Sequence, residues 1–483
     1  MHKGWLSINL SQKSESMVFN FDKNKDNIAL ITEDSTLSYQ DLQKLCDEFI
    51  SQINNRCLIF ILCTNSVPSV TGYVAAIQNR VVPLLLAADS DKSLVCNLIS
   101  KYHPNYLWLP KTRVQDFEGE TVYSLDDYVL VKTQYKKDYT LFSELALLLS
   151  TSGTTGSPKL VRLSYKNLLS NTKSICEYLQ IGSDSRAITT LPMNYSFGLS
   201  IINTHLYKQG SIILNDHTVI QREFWSMLEK YEATTFSGVP YTFEILDKLR
   251  FYRKELPNLK VITQAGGKLQ GSLQEKMADY CHEHNIKFYV MYGQSEATAR
   301  MGYLPYNLAK EKLNYIGIAI PNGKFSLEDD DGNLITTPNT KGELIYEGDN
   351  VSLGYALNLD DLAKGDDNKG KLKTGDIAIF DEDHLFKIIG RKSRFLKIYG
   401  NRVGLDEIQT LLQDHFKTPN IACVGTDDHL VTFITKESLL QNVKEFLAEI
   451  TKLNPKAFEV RFIKTLPRNS SGKLQYKMLN QIL

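Results

Sequence analysis

From Cys57 onward the chain alternates short, continuous apolar runs with amphipathic stretches: CLIFILC, SVTGYVAAIQNR, VVPLLLA, SLVCNLISKY and YLWL follow one another. Strand, helix, strand, helix, strand is the pattern of a mostly parallel sheet, because parallel strands need a crossover that returns the chain to the same edge. The pattern resumes after Ser150, with NLLSNTKSICEYL as a helix, AITTLP and SIIL as strands, FWSMLEKY as a helix and TTFSGVP as a strand. LKVITQAGG and IKFYVMYG read as two further buried strands that end in loops.

Near Leu313 the texture changes. GKFSLEDDDGNLI, GELIYEG and GDIAIFDEDHLFKIIGR are short alternating segments joined by D-G and D-E turns, which predicts antiparallel sheet. The acidic, glycine-rich run at 359–371 is expected to be a solvated loop. Beyond Arg391 the order strand, helix, two strands, helix, strand suits a compact α+β unit. The expected fold is therefore α/β: a large N-terminal region of mostly parallel α/β subdomains plus a small β-rich module at about 313–390, followed by a small α+β C-terminal domain. The division is expected at 1–390 and 391–483, with GRKSRF as linker.

Composition narrows the class. A chain of 483 residues calls for several cores, at roughly 150 residues per domain. With 42% apolar and 23% charged residues it is neither disordered nor fibrous. Lys plus Arg and Asp plus Glu are 55 each, so no broad basic field invites nucleic acid, and any polyanion must be gripped locally. The N-terminal residues carry no apolar leader, and no run approaches the ~20 apolar residues that span a bilayer, so a cytoplasmic chain without a membrane span is expected. Seven cysteines without C-x-x-C spacing are expected to be buried, reduced thiols rather than a disulfide frame or zinc site.

One loop carries chemistry on its face. LALLLSTSGTTGSPKLVRLSYKNLL places Thr151, Ser152, Gly153, Thr154, Thr155, Gly156, Ser157, Pro158 and Lys159 between a buried strand and a helix. Glycines let backbone N–H groups approach phosphate oxygens, hydroxyls donate further bonds, and a lysine neutralises charge. This is a polyphosphate cradle, but not the G-x-x-x-x-G-K-S/T loop, because Pro158 stands where that loop needs glycine and Leu160 follows the lysine.

STSGTTGSPK, together with four later segments, resembles the motifs of the adenylate-forming superfamily: acyl- and aryl-CoA synthetases, firefly luciferase and the adenylation domains of peptide synthetases. The resemblance runs from LSYQDL at 37–42 to the lysine tail. It implies ATP and Mg2+ as cofactors, an acyl-adenylate intermediate, and CoA or a carrier protein's phosphopantetheine as acyl acceptor. MYGQSEAT at 291–298 is similar to the family's Tyr-Gly-x-Thr-Glu segment, which implies that Tyr292 stacks on adenine, Ser295 binds the α-phosphate and Glu296 holds the metal. QAGGK implies Gly266 on the adenine side; LKTGDIA implies Asp376 as the ribose acceptor, and Arg391 falls where an arginine contacts ribose. GRKSRFLKIYG puts Ser393, a departure from the usual Asp or Lys, at the hinge, with Lys397 and Gly400 in the loop and thiol tunnel of the second half-reaction. LPRNSSGKLQYKML makes Lys473 the catalytic lysine of the first.

The segment LPMNYSFGLSIINTHLYKQG resembles the family's substrate-pocket stretch, with Tyr195, Phe197, Val239 and Tyr241 as candidate walls. Amino-acid adenylating domains usually carry Asp in the Phe-Asp step, and here that step is Phe197-Gly198. A small-molecule carboxylic acid is therefore expected. The alternative is an amino-acid adenylating ligase that passes its adenylate to a carrier protein or an amine.

Overall fold

A computed structural model describes residues 18–21, 24–136, 139–150, 159–392, 394–398, 401–469 and 472–483. LIFILC and VPLLLA form the strands Leu58–Cys63 and Val82–Ala87, which pair in parallel at the centre of an eight-stranded sheet. Every residue of the first strand is buried, as expected when helices cover both faces. Tyr106–Pro110 and Leu145–Ser150 extend the parallel centre, while the flanks turn antiparallel.

A nine-stranded sheet repeats the plan among the described residues. Its parallel centre joins Ile28–Ile31, Ser211–Ile213, Arg186–Ile188, Thr235–Gly238, Val261–Gln264 and Lys287–Tyr292. The helices Tyr165–Leu179 and Ser196–Tyr207 pack against each other, and side chains of both enter the cores of each large sheet. The alternating segments after Leu313 form a five-stranded antiparallel sheet of Leu334–Ile335, Gly323–Glu328, Gly342–Gly348, Lys371–Phe380 and Phe386–Arg391. Its last strand ends at Arg391. The C-terminal domain begins with a hairpin, Phe395–Ile398 and Asn401–Gly404, and continues with a three-stranded sheet under the helices Leu405–His415 and Leu440–Thr451.

Two features depart from the sequence reading. The strand Gly354–Ala356 lies inside the 313–390 window, yet it pairs with Leu160–Ser164 at the edge of the eight-stranded sheet. The run at 359–371 is largely exposed, as expected, but it is more than a solvated loop. Asp361 and Leu362 are buried, and the segment wraps the Arg162 side chain, which has no exposed surface. That guanidinium donates to the carbonyls of Leu353, Tyr355, Lys364 and Gly365 and to the Asp367 carboxylate. A buried arginine needs acceptors for its donors, and this acidic, bending stretch supplies them; nothing in the local charge pattern announces a cation from another strand.

Cysteines at 46, 57, 63, 176, 281 and 423 are buried free thiols, and Cys96 is exposed. Among the described residues no helix is long and apolar enough to cross a membrane.

Candidate active site

The strand Lys287–Tyr292 ends in a turn that several side chains hold rigid. Ser352 N–H donates to the Glu296 carbonyl at 2.9 Å, Asn350 Nδ2 donates to the carbonyls of Ala297 and Arg300, and Asn171 Nδ2 reaches the Arg300 carbonyl at 2.8 Å. Thr298 sits at φ +68°, a conformation a β-branched residue rarely adopts. Its hydroxyl is tied to the Asn350 carbonyl at 2.7 Å, so the surrounding bonds impose the strain.

Asp376, on Lys371–Phe380, is buried beside this turn. Its Oδ2 accepts from the Tyr292 hydroxyl at 2.5 Å and from Gln294 Nε2 at 2.9 Å, and its Oδ1 accepts from Arg391 Nε at 3.0 Å. Strand pairing sets Asp376 directly opposite Arg391. The carboxylate raises the Arg391 pKa, and burial, reinforced by the same carboxylate, pushes the Tyr292 phenol well above its usual range. Oδ2 is filled by its two donors, while Oδ1, with one, keeps lone-pair capacity for a further donor.

Glu296 accepts from the Tyr355 hydroxyl at 2.8 Å, and the Lys159 ammonium lies 5.3 Å from the centre of the Tyr355 ring. Tyr355 thus links the residue that closes the phosphate loop to the expected metal ligand. Burial and the Glu296 charge both raise its pKa, so the phenol stays protonated and able to donate. Among the described residues no group of three or more His, Cys, Asp or Glu could cage a metal. A lone carboxylate next to a phosphate-binding loop does fit magnesium, which is commonly held by one or two carboxylates plus substrate phosphates.

The third cluster joins the C-terminal domain to the rest. Tyr195 and Val239 are the N-cap residues of the helices Ser196–Tyr207 and Pro240–Lys248. Gly266 is at φ +87°, and a Cβ there would lie 2.6 Å from the Tyr195 hydroxyl and 3.1 Å from Val239. Gly472 is at φ +74°, and a Cβ there would press on Tyr241 and Val239 at 3.0 and 3.1 Å. Both positions need glycine, for conformation and for close approach. The next residue, Lys473, brings its ammonium 5.1 Å from the centre of the Tyr195 ring, while the Ser295 hydroxyl donates to Ser196 at 3.2 Å. Arg468 docks this loop: it donates to the Gly472 carbonyl and to Glu244, and it lies over Tyr241.

Of the residues singled out from sequence, Lys473, Ser295, Glu296, Lys159, Gly266, Tyr292, Asp376, Arg391, Tyr195, Phe197 and Val239 fall into these clusters or against them. Tyr241 is 41% exposed and lies at the junction with the C-terminal domain rather than in a core. Lys397 is exposed on the hairpin, where its backbone bonds to Asp427 and Asp428, and no contact places it with Lys473. Thr151, Ser152, Gly153, Thr154, Thr155, Gly156, Ser393 and Gly400 lie outside the described residues. Tyr355, Gln294, Arg468 and Glu244 were not foreseen; only Gln294 and Arg468, inside the motifs, offered a signal.

Two large α/β sheets, an antiparallel module and a small α+β unit that brings Lys473 over Tyr195 match the fold of the adenylate-forming ligases. Residues 19–356 match the model of the AMP-binding enzyme family, and the chain belongs to that family. A 4-coumarate–CoA ligase-like protein of Arabidopsis thaliana is 25% identical over 82% of this chain and 71% of its own length. A long-chain-fatty-acid–CoA ligase of Salmonella typhimurium is 27% identical over 71% of this chain and 62% of its own. The O-succinylbenzoate coenzyme A synthetase of Bacillus subtilis, solved with ATP and magnesium ion, superposes with a TM-score of 0.76 at 20% identity, covering 94% of this chain and 96% of that one.

Proposed function

We propose that this enzyme uses ATP to convert a small-molecule carboxylic acid into an acyl-adenylate, releases pyrophosphate, and then transfers the acyl group to a thiol, that of CoA or of a carrier protein's phosphopantetheine. The observation that carries the reading is the approach of Lys473 to Tyr195, one residue from the Ser196–Ser295 hydroxyl pair. A cation from the C-terminal domain is thereby held beside the turn that bears Glu296.

In the first step a carboxylate oxygen attacks the α-phosphorus of ATP, the bond from that phosphorus to the bridging oxygen breaks, and pyrophosphate leaves. Two anions must meet, so positive charge placed in advance lowers the barrier more than any other device. Lys473 supplies it between carboxylate and α-phosphate, with Ser295 donating to the latter. The 151–156 loop and Lys159 grip the departing phosphates. Glu296 would hold magnesium, which would supply positive charge to the triphosphate. Asp376 and Arg391 orient the ribose, and Tyr292 and Gly266 border the adenine.

Tyr195, Phe197, Val239 and Tyr241 form the acid's surroundings. A Cβ at Gly198 would stand 2.3 Å from the Pro192 carbonyl, so no carboxylate can occupy this step to pair an α-ammonium. That favours a plain organic acid over an amino acid. For transfer, the division at 390/391 acts as a hinge at Ser393: Lys473 withdraws and Lys397 and Gly400 enter with the thiol.

The test measures acid-dependent pyrophosphate release from ATP across fatty, aryl, hydroxy and amino acids, with and without CoA. Lys473→Ala is expected to lower adenylate formation about 10²–10³-fold, while thioester formation from supplied acyl-AMP survives. Equal loss in both halves would contradict the assignment.

A further inference from the structure

Resting on the proposal that this site activates a carboxylic acid, we infer that its acid carries a second carboxylate, and that Arg300 is the residue that selects it. Arg300 is 3% exposed, and its guanidinium lies 3.7 Å from the centre of the Phe197 ring, one of the proposed walls. Among the described residues no carboxylate pairs with it. Nε donates to the Met291 thioether at 3.4 Å, a weak acceptor, the Tyr178 phenol is a further hydrogen-bond partner, and the other titratable group that faces it is the Tyr195 phenol.

This environment is unusual for a cation. Arginine stays protonated at any physiological pH, so a buried one must find acceptors or an anion. Another buried arginine, Arg162 on the strand Leu160–Ser164, has four carbonyls and a carboxylate around it. Arg300 has an aromatic face, a sulfur and phenols, which offset only part of the desolvation of its charge. Its backbone is held on both sides, by Asn171 and by Asn350, so the side chain is positioned rather than loose. Its place follows from the Glu296 turn by four residues, and the same Tyr195 that neighbours Arg300 also lies under Lys473. A diacid satisfies both cations at once: one carboxylate meets Lys473 and reacts, and the other pairs with Arg300 and stays behind unreacted. A monocarboxylate leaves the guanidinium unpaired.

The test compares acids matched in length in ATP–pyrophosphate exchange with the full chain: butanoate against succinate, hexanoate against adipate, and 3-phenylpropanoate against its para-carboxy analogue. The expected result is a preference of about 10²-fold in kcat/KM for at least one diacid over its partner, lost in Arg300→Met and partly kept in Arg300→Lys. Exchange with monocarboxylates at equal or higher kcat/KM throughout would overturn the inference while leaving acid activation intact. An unchanged diacid preference in folded Arg300→Met would also overturn it. Should Arg300→Met fail to fold, the wild-type comparison decides alone. No exchange with any acid would remove the proposed function, and this inference with it.

Discussion

Asp376 concentrates the most directional chemistry of the site into one carboxylate. Three donors from Tyr292, Gln294 and Arg391 converge on it, so its orientation is set before any ligand arrives. Replacing it with alanine leaves those donors facing each other with no acceptor, at about 2–4 kcal/mol. The KM for ATP should rise at least about tenfold, a threshold well inside that energy; an unchanged ATP dependence of pyrophosphate release would show that Asp376 does not touch the nucleotide. Tyr355 acts one bond further out. In Tyr355→Phe the ring beside Lys159 remains but Glu296 loses its donor, and the magnesium concentration for half-maximal activity should rise about tenfold or more. An effect on the KM of the acid alone, with no change in the metal dependence, would refute that role.

At the scale of elements, the helix Ser196–Tyr207 is buried along nearly its whole length, and this has a cost at low pH. His205 keeps one tautomer by donating from Nδ1 to the Ile201 carbonyl at 2.9 Å, while Nε2 is enclosed with no partner among the described residues. Burial lowers its pKa to about 4 from the ordinary 6.5. Between those values the unfolded chain binds a proton that the folded one refuses, so stability falls as pH drops from about 6.5 toward 4. The loss amounts to about 3 kcal/mol. In His205→Leu the thermal midpoint should vary less with pH over that window; an identical pH dependence would mean another group dominates acid unfolding. The strap around Arg162 shows a related economy, since one buried guanidinium from Leu160–Ser164 organises the stretch 353–367, which includes Tyr355.

Across the whole molecule, chemistry depends on where the C-terminal domain docks. Arg468 and Glu244 are both largely buried and meet at 3.3 Å, and the same arginine braces Gly472, whose neighbour is Lys473. Arg468→Met should therefore slow adenylate formation about 10–100-fold through misplacement of Lys473, yet spare thioester formation from supplied acyl-AMP. Comparable loss in both half-reactions would indicate general instability instead.

The elements of this fold were legible because their signals are local. The continuous apolar runs LIFILC and VPLLLA and the turn chemistry after Leu313 depend on residues a few positions apart, and the ordered motifs named the candidate site residues. Encounters between distant residues carried no such trace. Tyr355 reaches Glu296 across 59 positions, Arg468 reaches Glu244 across 224, and the 359–371 run closes on Arg162 because the strand before it, Gly354–Ala356, pairs with Leu160–Ser164. Nothing in sequence singles out Arg300; the fold sets Phe197 beneath it and, among the described residues, no carboxylate beside it. Sequence by itself determined which groups the enzyme owns and which local structures present them; the path of the chain decided which of those groups are buried, paired or left for the substrate.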